Sequence, residues 1–285
     1  MDALEKLACL AENMRFEPSE EVSLPRAEER LFPEPEVGSP PAPACPAGVP
    51  LDSLPIFRAV APGGRRIPLL KTLLTSACER DCYYCACRAG RDARRATFSP
   101  DELARTFMTL HRSRKVEGLF LSSGIAGGGI RTQDRLIATA EILRLKLGFR
   151  GYLHLKIMPG AERAQVERAM QLADRVSINL EAPNTSRLER LAPHKTFLEE
   201  LVRPLEWIEE IRGSGPGTRG WNGRWPSTTT QFVVGGADET DLELLQTTQM
   251  LYRRLRLARA YFSGFAPVVG TPLENRPAVN AWRQH

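Results

Sequence analysis

The sequence predicts an α/β fold: a partial (β/α)6 barrel of the TIM type preceded by a proline-rich N-terminal extension. Three observations predict it. From Pro68 onward, six short β-branched or leucine-rich runs alternate with longer amphipathic ones. Several of the short runs carry polar residues at period two, so that one strand face is polar. The length of 285 residues, 42% hydrophobic and 26% charged, suffices for one core with an extension.

In chain order, residues 2 to 14 form a short helix, and Pro18 to Pro68 has proline every few residues, as in "FPEPEVGSPPAPACPAGVP". Such a stretch is extended and poor in apolar periodicity. Strands are expected at 69–75, 118–124, 151–158, 175–182, 228–236 and 259–267, with helices near 99–114, 132–147, 161–173, 195–212 and 238–256. Ser99-Pro100-Asp101-Glu102 places a cap before a proline in the first turn, and Asp238-Glu239-Thr240-Asp241 loads acids onto a helix N-terminus. The resulting segments are 1–65 (helix and extension), 66–276 (the core) and 277–285 (a short tail).

Strict alternation implies a parallel sheet with functional groups at the C-terminal ends of its strands; a doubly wound sheet is the alternative. Leu153, Leu155 and Ile157 alternate with Tyr152, His154 and Lys156, and Val176, Ile178 and Leu180 alternate with Ser177, Asn179 and Glu181. Parallel strands covered on both sides are apolar on both faces, so one polar face implies a wet, ligand-holding barrel interior or else an internal ion-pair network.

Four of the six cysteines crowd into "CERDCYYCACRAG", at Cys78, Cys82, Cys85 and Cys87, in the loop leaving the first strand. The chain has no run of about 18 apolar residues, and its N-terminus carries acids where a signal peptide would be basic, so a cytoplasmic location is expected. In a reducing compartment, clustered thiols serve as metal ligands or redox groups. Three thiolates at C-x3-C-x2-C suit a [4Fe–4S] cluster with one iron open to an outside ligand. A zinc site of all four cysteines, in a non-catalytic module or partner subunit, and a C-x2-C redox pair are the alternatives.

The spacing, with Tyr84 just before the third cysteine, resembles the signature of radical S-adenosylmethionine (SAM) enzymes. From "LLKTLLTSACERDCYYC" through "GLFLSSG", "GYLHLKIMPGA", "LADRVSINLEAPN", "RLAPHK", "TTTQFVVGGADETDL" and "YFSGFAPV", the chain is similar to the radical SAM family of DNA modification or repair proteins, which is associated with a uracil-DNA glycosylase-like partner. The likeness covers residues 66 to 276. Members continue into a helix-hairpin-helix region where this chain stops at "NRPAVNAWRQH", and they have Pro-Asn-Arg where it has Ala86-Cys87-Arg88.

The resemblance implies that Cys78, Cys82 and Cys85 ligate the cluster and that Tyr84 packs over it or near the adenine of SAM. It implies that Ser122, Ser123 and Gly124 meet the methionine amino group, the alternative being a plain strand-to-helix turn. Asn179 and Glu181 suit the ribose or the methionine group, or else a structural network. Gln231, Val233, Gly235 and Asp238 match an adenine-lining pattern, Gly235 most closely. His154 and Lys156 are expected to face the substrate, as an anion anchor or a proton donor. The implied activity is reductive cleavage of SAM to a 5′-deoxyadenosyl radical for nucleic-acid modification or repair, with reduced flavodoxin or ferredoxin as electron donor and no membrane.

A net charge of +5 agrees with an anionic partner. Arg80, Arg88, Arg91, Arg94 and Arg95 are expected to form an electropositive rim around the cysteine loop. Arg187, Arg190, His194 and Lys195 follow the fourth strand, on the active face. Trp221 and Trp225 interleave with Arg219 and Arg224 ahead of the fifth strand, where a packing role or a partner contact is expected.

Overall fold

A computed structural model of the chain describes residues 1–14, 54–60, 66–214 and 219–284. Most of the proline-rich stretch, and the expectation that it is extended, lie outside the described residues.

Seven strands form one curled, open sheet in the order β1 to β7. They are β1 (Ile56–Val60), β2 (Arg66–Leu73), β3 (Gly118–Ser122), β4 (Tyr152–Lys156), β5 (Arg175–Ser177), β6 (Ser227–Val234) and β7 (Arg259–Gly264). β2 to β7 are parallel, and β1 pairs antiparallel with β2. The six-unit partial barrel expected from the sequence is thus present with one further edge strand.

The helices are α1 (Ala3–Met14), α2 (Pro100–Arg112), α3 (Gly129–Glu141), α4 (Arg163–Leu172), the short α5 (Thr185–Glu189), α6 (Arg203–Gly213), α7 (Asp241–Leu255) and α8 (Ala281–Gln284). Leu119, Leu121, Leu153, Leu155, Val176, Ile178, Phe232 and Val234 are fully buried at alternate strand positions. Each such side chain contributes about 1.5–3 kcal/mol of burial.

Local signals explain where the elements start. Ser99 and Glu102 close a reciprocal cap on α2, as expected. α7 begins three residues later than expected, because Thr240 and Glu243 form its capping box. Glu239 turns back to accept the Gly235 and Ala237 amides. α3, by contrast, starts early, after Gly128 at φ +88°, a conformation that glycine adopts without a Cβ penalty. The helix expected at 195–212 divides into a wide turn, Phe197–Val202, and α6, whose first turn contains Pro204.

α1 packs against β2 and α2, burying Leu7, Leu10 and Met14, and Lys6 pairs with Glu102 at 2.7 Å. Arg144 is buried beneath the Trp221 ring, 3.9 Å from its centroid, and pairs with Asp174 at 2.8 Å. The Trp221 indole N–H donates to the same carboxylate, so this tryptophan packs the end of the barrel away from the cysteines.

Candidate active site

The cysteine loop leaves β2 and is tied down on every side. Arg95 donates to the carbonyls of Ser76, Arg88 and Arg91, and the Ala96 amide donates to the Ser76 hydroxyl. Glu79 accepts the amides of Gly127 and Gly128 at 3.0 and 3.1 Å, which joins the loop to the segment after β3. Arg80 pairs with Glu200 and donates to the His194 carbonyl, and the Tyr83 amide donates to the Leu191 carbonyl, which join it to the segment after β5.

These contacts correct the electropositive rim read from the sequence. Arg80 and Arg95, with Arg91 on the Val269 and Ala86 carbonyls and Arg88 on the Asp81 carbonyl, are internal braces of the loop. Arg94 is exposed and keeps its place on the expected rim. Arg187 and Arg190 are paired, with Glu243 and Asp238.

The loop aims Cys78, Cys82, Cys85 and Cys87 into one cleft, which encloses about 1190 Å3 including its mouth. The amides of Arg80 and Ile125 each donate to Cys78 Sγ at 3.4 Å, and the Cys87 amide donates to Cys85 Sγ at 3.4 Å. Such bonds favour sulfur carrying negative charge. Burial nonetheless raises the Cys78 pKa and pushes Cys82 up to about 12, while Cys85 is raised by its contact with Cys87 and then by burial. As free thiols these groups therefore hold their protons, and a bound metal would displace them.

Among the described residues, no three His, Cys, Asp or Glu side chains converge closely enough to hold a single metal ion. Four thiols in one cleft, three of them at the C-x3-C-x2-C spacing, are a donor set whose chemistry suits an iron–sulfur cluster.

Ser122, Ser123, Gly124, Asn179, Glu181, Gln231 and Lys156 line the same cleft, as does Tyr84. Gly124 sits where the end of β3 crosses the cysteine loop; a Cβ there would lie 2.4 Å from the Ala77 carbonyl oxygen and 3.2 Å from Cys78 Cβ. Glu181 adopts φ +65° while its amide and carbonyl bridge to Gln231 and Val233 of β6. A non-glycine residue in that region is strained, and such strain concentrates at functional sites.

The structure places three of the expected site residues elsewhere. Asp238 pairs with Arg190 and Arg276 and does not line the cleft. Gly235 lies beyond β6 at φ +84°, against Val279, and does not line the cleft. His154 lies deeper in the barrel, with its Nε2 2.8 Å from the Ser177 hydroxyl and its ring edge-on to Phe120. Burial first, then Arg175, Lys156 and Lys71, hold its pKa well below the ordinary histidine value.

Lys195, expected on the active face, is buried in the cleft wall and pairs with Glu181 at 3.3 Å. Burial opposes its charge, but Cys82 and Glu181 outweigh that and raise its pKa. Burial and then Glu181 keep the Tyr84 phenol protonated. Met14 reaches the cleft from α1, far away in sequence; only the apolar spacing of that helix marked it as buried.

The family model described as the radical SAM superfamily matches residues 72–251. The chain belongs to the radical SAM superfamily. Among solved structures, this radical SAM chain is similar to methylornithine synthase PylB, with a TM-score of 0.60 and 15% identity over 78% of this chain and 60% of PylB. It is also similar to HydG, a maturase of the [FeFe]-hydrogenase, with a TM-score of 0.58 and 12% identity over 76% of this chain and 47% of HydG. The HydG of Carboxydothermus hydrogenoformans gives a TM-score of 0.55 at 14% identity, covering 74% of this chain and 47% of that one.

At these identities the likeness to PylB and HydG is one of fold, and the chain spans less than two thirds of the length of either. No curated protein sequence matches it. Radical SAM membership brings with it a [4Fe–4S] cluster and SAM as cofactors. Among the described residues, no helix is long and apolar enough to cross a membrane.

Proposed function

We propose that this radical SAM protein is an enzyme in which Cys78, Cys82 and Cys85 ligate the cluster, and that SAM and a substrate share the cleft below them. The observation that carries the reading is the shared cleft: the loop's buried sulfurs face Ser122, Ser123, Gly124, Asn179, Glu181 and Gln231 across one space. When bound, the cofactor pair supplies a 5′-deoxyadenosyl radical through reductive cleavage of the C5′–S bond of SAM.

The chain's own residues bind, orient and exclude water. Asn179 and Glu181 offer carbonyl and carboxylate acceptors to ribose hydroxyls. Lys195, fixed on Glu181, offers an ammonium to a carboxylate. The bare edge at Gly124 lets a ligand's amino group approach backbone carbonyls. Met14, Ile157 and Met158 make the remaining walls apolar, and so keep solvent from a reactive intermediate.

A nucleic-acid target, the finer expectation, has the +5 net charge and the family likeness behind it. The bracing of Arg80, Arg91 and Arg95 within the loop narrows the face it could offer to phosphates. The cleft within the barrel supports a substrate small enough to enter it; flavodoxin or ferredoxin as reductant follows from the family likeness. Metal analysis and electron paramagnetic resonance of anaerobically reconstituted protein test the reading. About four irons per chain and a reduced-cluster signal altered by SAM are expected; one zinc and no iron would reject it.

A further inference from the structure

The segment that leads from β3 into α3 is fastened to the cysteine loop by a row of hydrogen bonds. The Gly124 amide donates to the Thr75 carbonyl at 2.7 Å, the Ile125 amide to Cys78 Sγ at 3.4 Å, and the Glu79 amide back to the Ile125 carbonyl at 2.8 Å. The Glu79 side chain ends the row: its two carboxylate oxygens accept the Gly127 and Gly128 amides at 3.0 and 3.1 Å.

This last contact supplies something α3 lacks. The helix starts after Gly128, which has no side chain to cap the first turn, and Gly127 and Gly128 stand at φ +77° and +88°. A run of glycines has no side-chain packing to fix it and loses the most entropy when ordered. The open amides at a helix N-terminus need an acceptor, and a carboxylate is the favoured one. Here it comes from 48 and 49 residues away, from the position that follows Cys78. Farther along, Gly129 packs on the segment after β4, where a Cβ would lie 2.1 Å from the Pro159 carbonyl oxygen.

What the row holds in place is a wall of the cleft. Ser122, Ser123, Gly124 and Ile125 line the cleft beside the cysteines, as do Met158 and Pro159, whereas Glu79 does not line it and is exposed. Glu79 therefore acts through the edge that it fastens.

We infer that Glu79 is a positioning residue for SAM: it locks the β3-exit edge to the loop that carries the cluster ligands, so that SAM meets both in one fixed arrangement. The inference rests on the radical SAM reading of the cleft and adds a residue outside it.

The test compares the full chain with Glu79→Gln, which keeps one accepting oxygen, and Glu79→Ala, which keeps none. Each is reconstituted anaerobically and titrated with SAM, and the change in the reduced-cluster paramagnetic resonance signal is followed. Iron content should match the parent chain, because the bonds of Arg95 and Ser76 hold the loop independently of Glu79. The Kd for SAM should rise about fivefold or more in Glu79→Ala, with Glu79→Gln between that and the parent. A merely structural role would instead lower iron content and melting temperature while the loaded fraction bound SAM as the parent does.

Amide hydrogen exchange on the cluster-free chains gives a second measurement that needs no iron. Gly127, Gly128 and the first turn of α3 should exchange faster in Glu79→Ala than in the parent, with the strands unchanged. Parental SAM affinity in a fully loaded Glu79→Ala, or parental exchange in that turn, overturns the inference alone. A parent chain whose cluster signal does not respond to SAM overturns the radical SAM reading and the inference with it.

Discussion

Lys195 Nζ stands 3.3 Å from Glu181 Oε1, and the two side chains are only 10% and 7% exposed in the wall that faces Cys82 and Cys85. The pair joins the segment after β5 to the cofactor cleft, while backbone bonds to β6 hold Glu181 in its strained conformation. Removing one partner leaves the other charge buried and unmatched. Lys195→Met is expected to cost about 3–5 kcal/mol in denaturant unfolding. The double variant with Glu181→Gln should recover part of that; strictly additive losses would show that the pair is not coupled.

Gly124→Ala pushes a methyl group into the Ala77 carbonyl, 2.4 Å away, and the backbone of either the β3 exit or the cysteine loop has to move. A loss of about 1–3 kcal/mol is expected from such overpacking. Because the displaced strand end touches Cys78, iron content after reconstitution should fall as well. A variant with full iron and unchanged melting temperature would show that this crossing is not tight.

His154 gives stability a pH dependence of known sign. Its folded pKa is held below 6.5 by burial and by Arg175, Lys156 and Lys71, so below that pH the unfolded chain binds a proton that the folded chain refuses. Stability from this residue is present above 6.5 and declines as pH falls through it, with a limiting slope of about 1.4 kcal/mol per pH unit. His154→Gln should flatten the fall in stability between about pH 6.5 and 5 relative to the parent chain. Parallel slopes would contradict the assignment.

Much of this architecture was legible because its signals are local. The cysteine spacing, the Ser99 cap and the alternation in β4 and β5 each lie within a few residues, and each kept its position in the structure. Two features depend on distant partners and were not. β1 exists only through pairing with β2, and Met14 enters the cleft because α1 packs across β2. Lys195 was read on the active face, but not its pairing with Glu181. The arginines show the opposite failure. Their density in sequence marked a charged surface, but charge alone does not say whether a guanidinium faces solvent or braces its own loop.

The central claim, that Cys78, Cys82 and Cys85 hold a cluster able to cleave SAM while Cys87 stands apart from it, is tested most directly by 5′-deoxyadenosine formation. Anaerobically reconstituted protein and its four single Cys→Ser variants are compared under a strong reductant. The parent chain and Cys87→Ser should both form 5′-deoxyadenosine, and Cys78→Ser, Cys82→Ser and Cys85→Ser should form none. No product from the reconstituted parent, or product that disappears with Cys87→Ser and survives loss of one of the other three, would contradict the account.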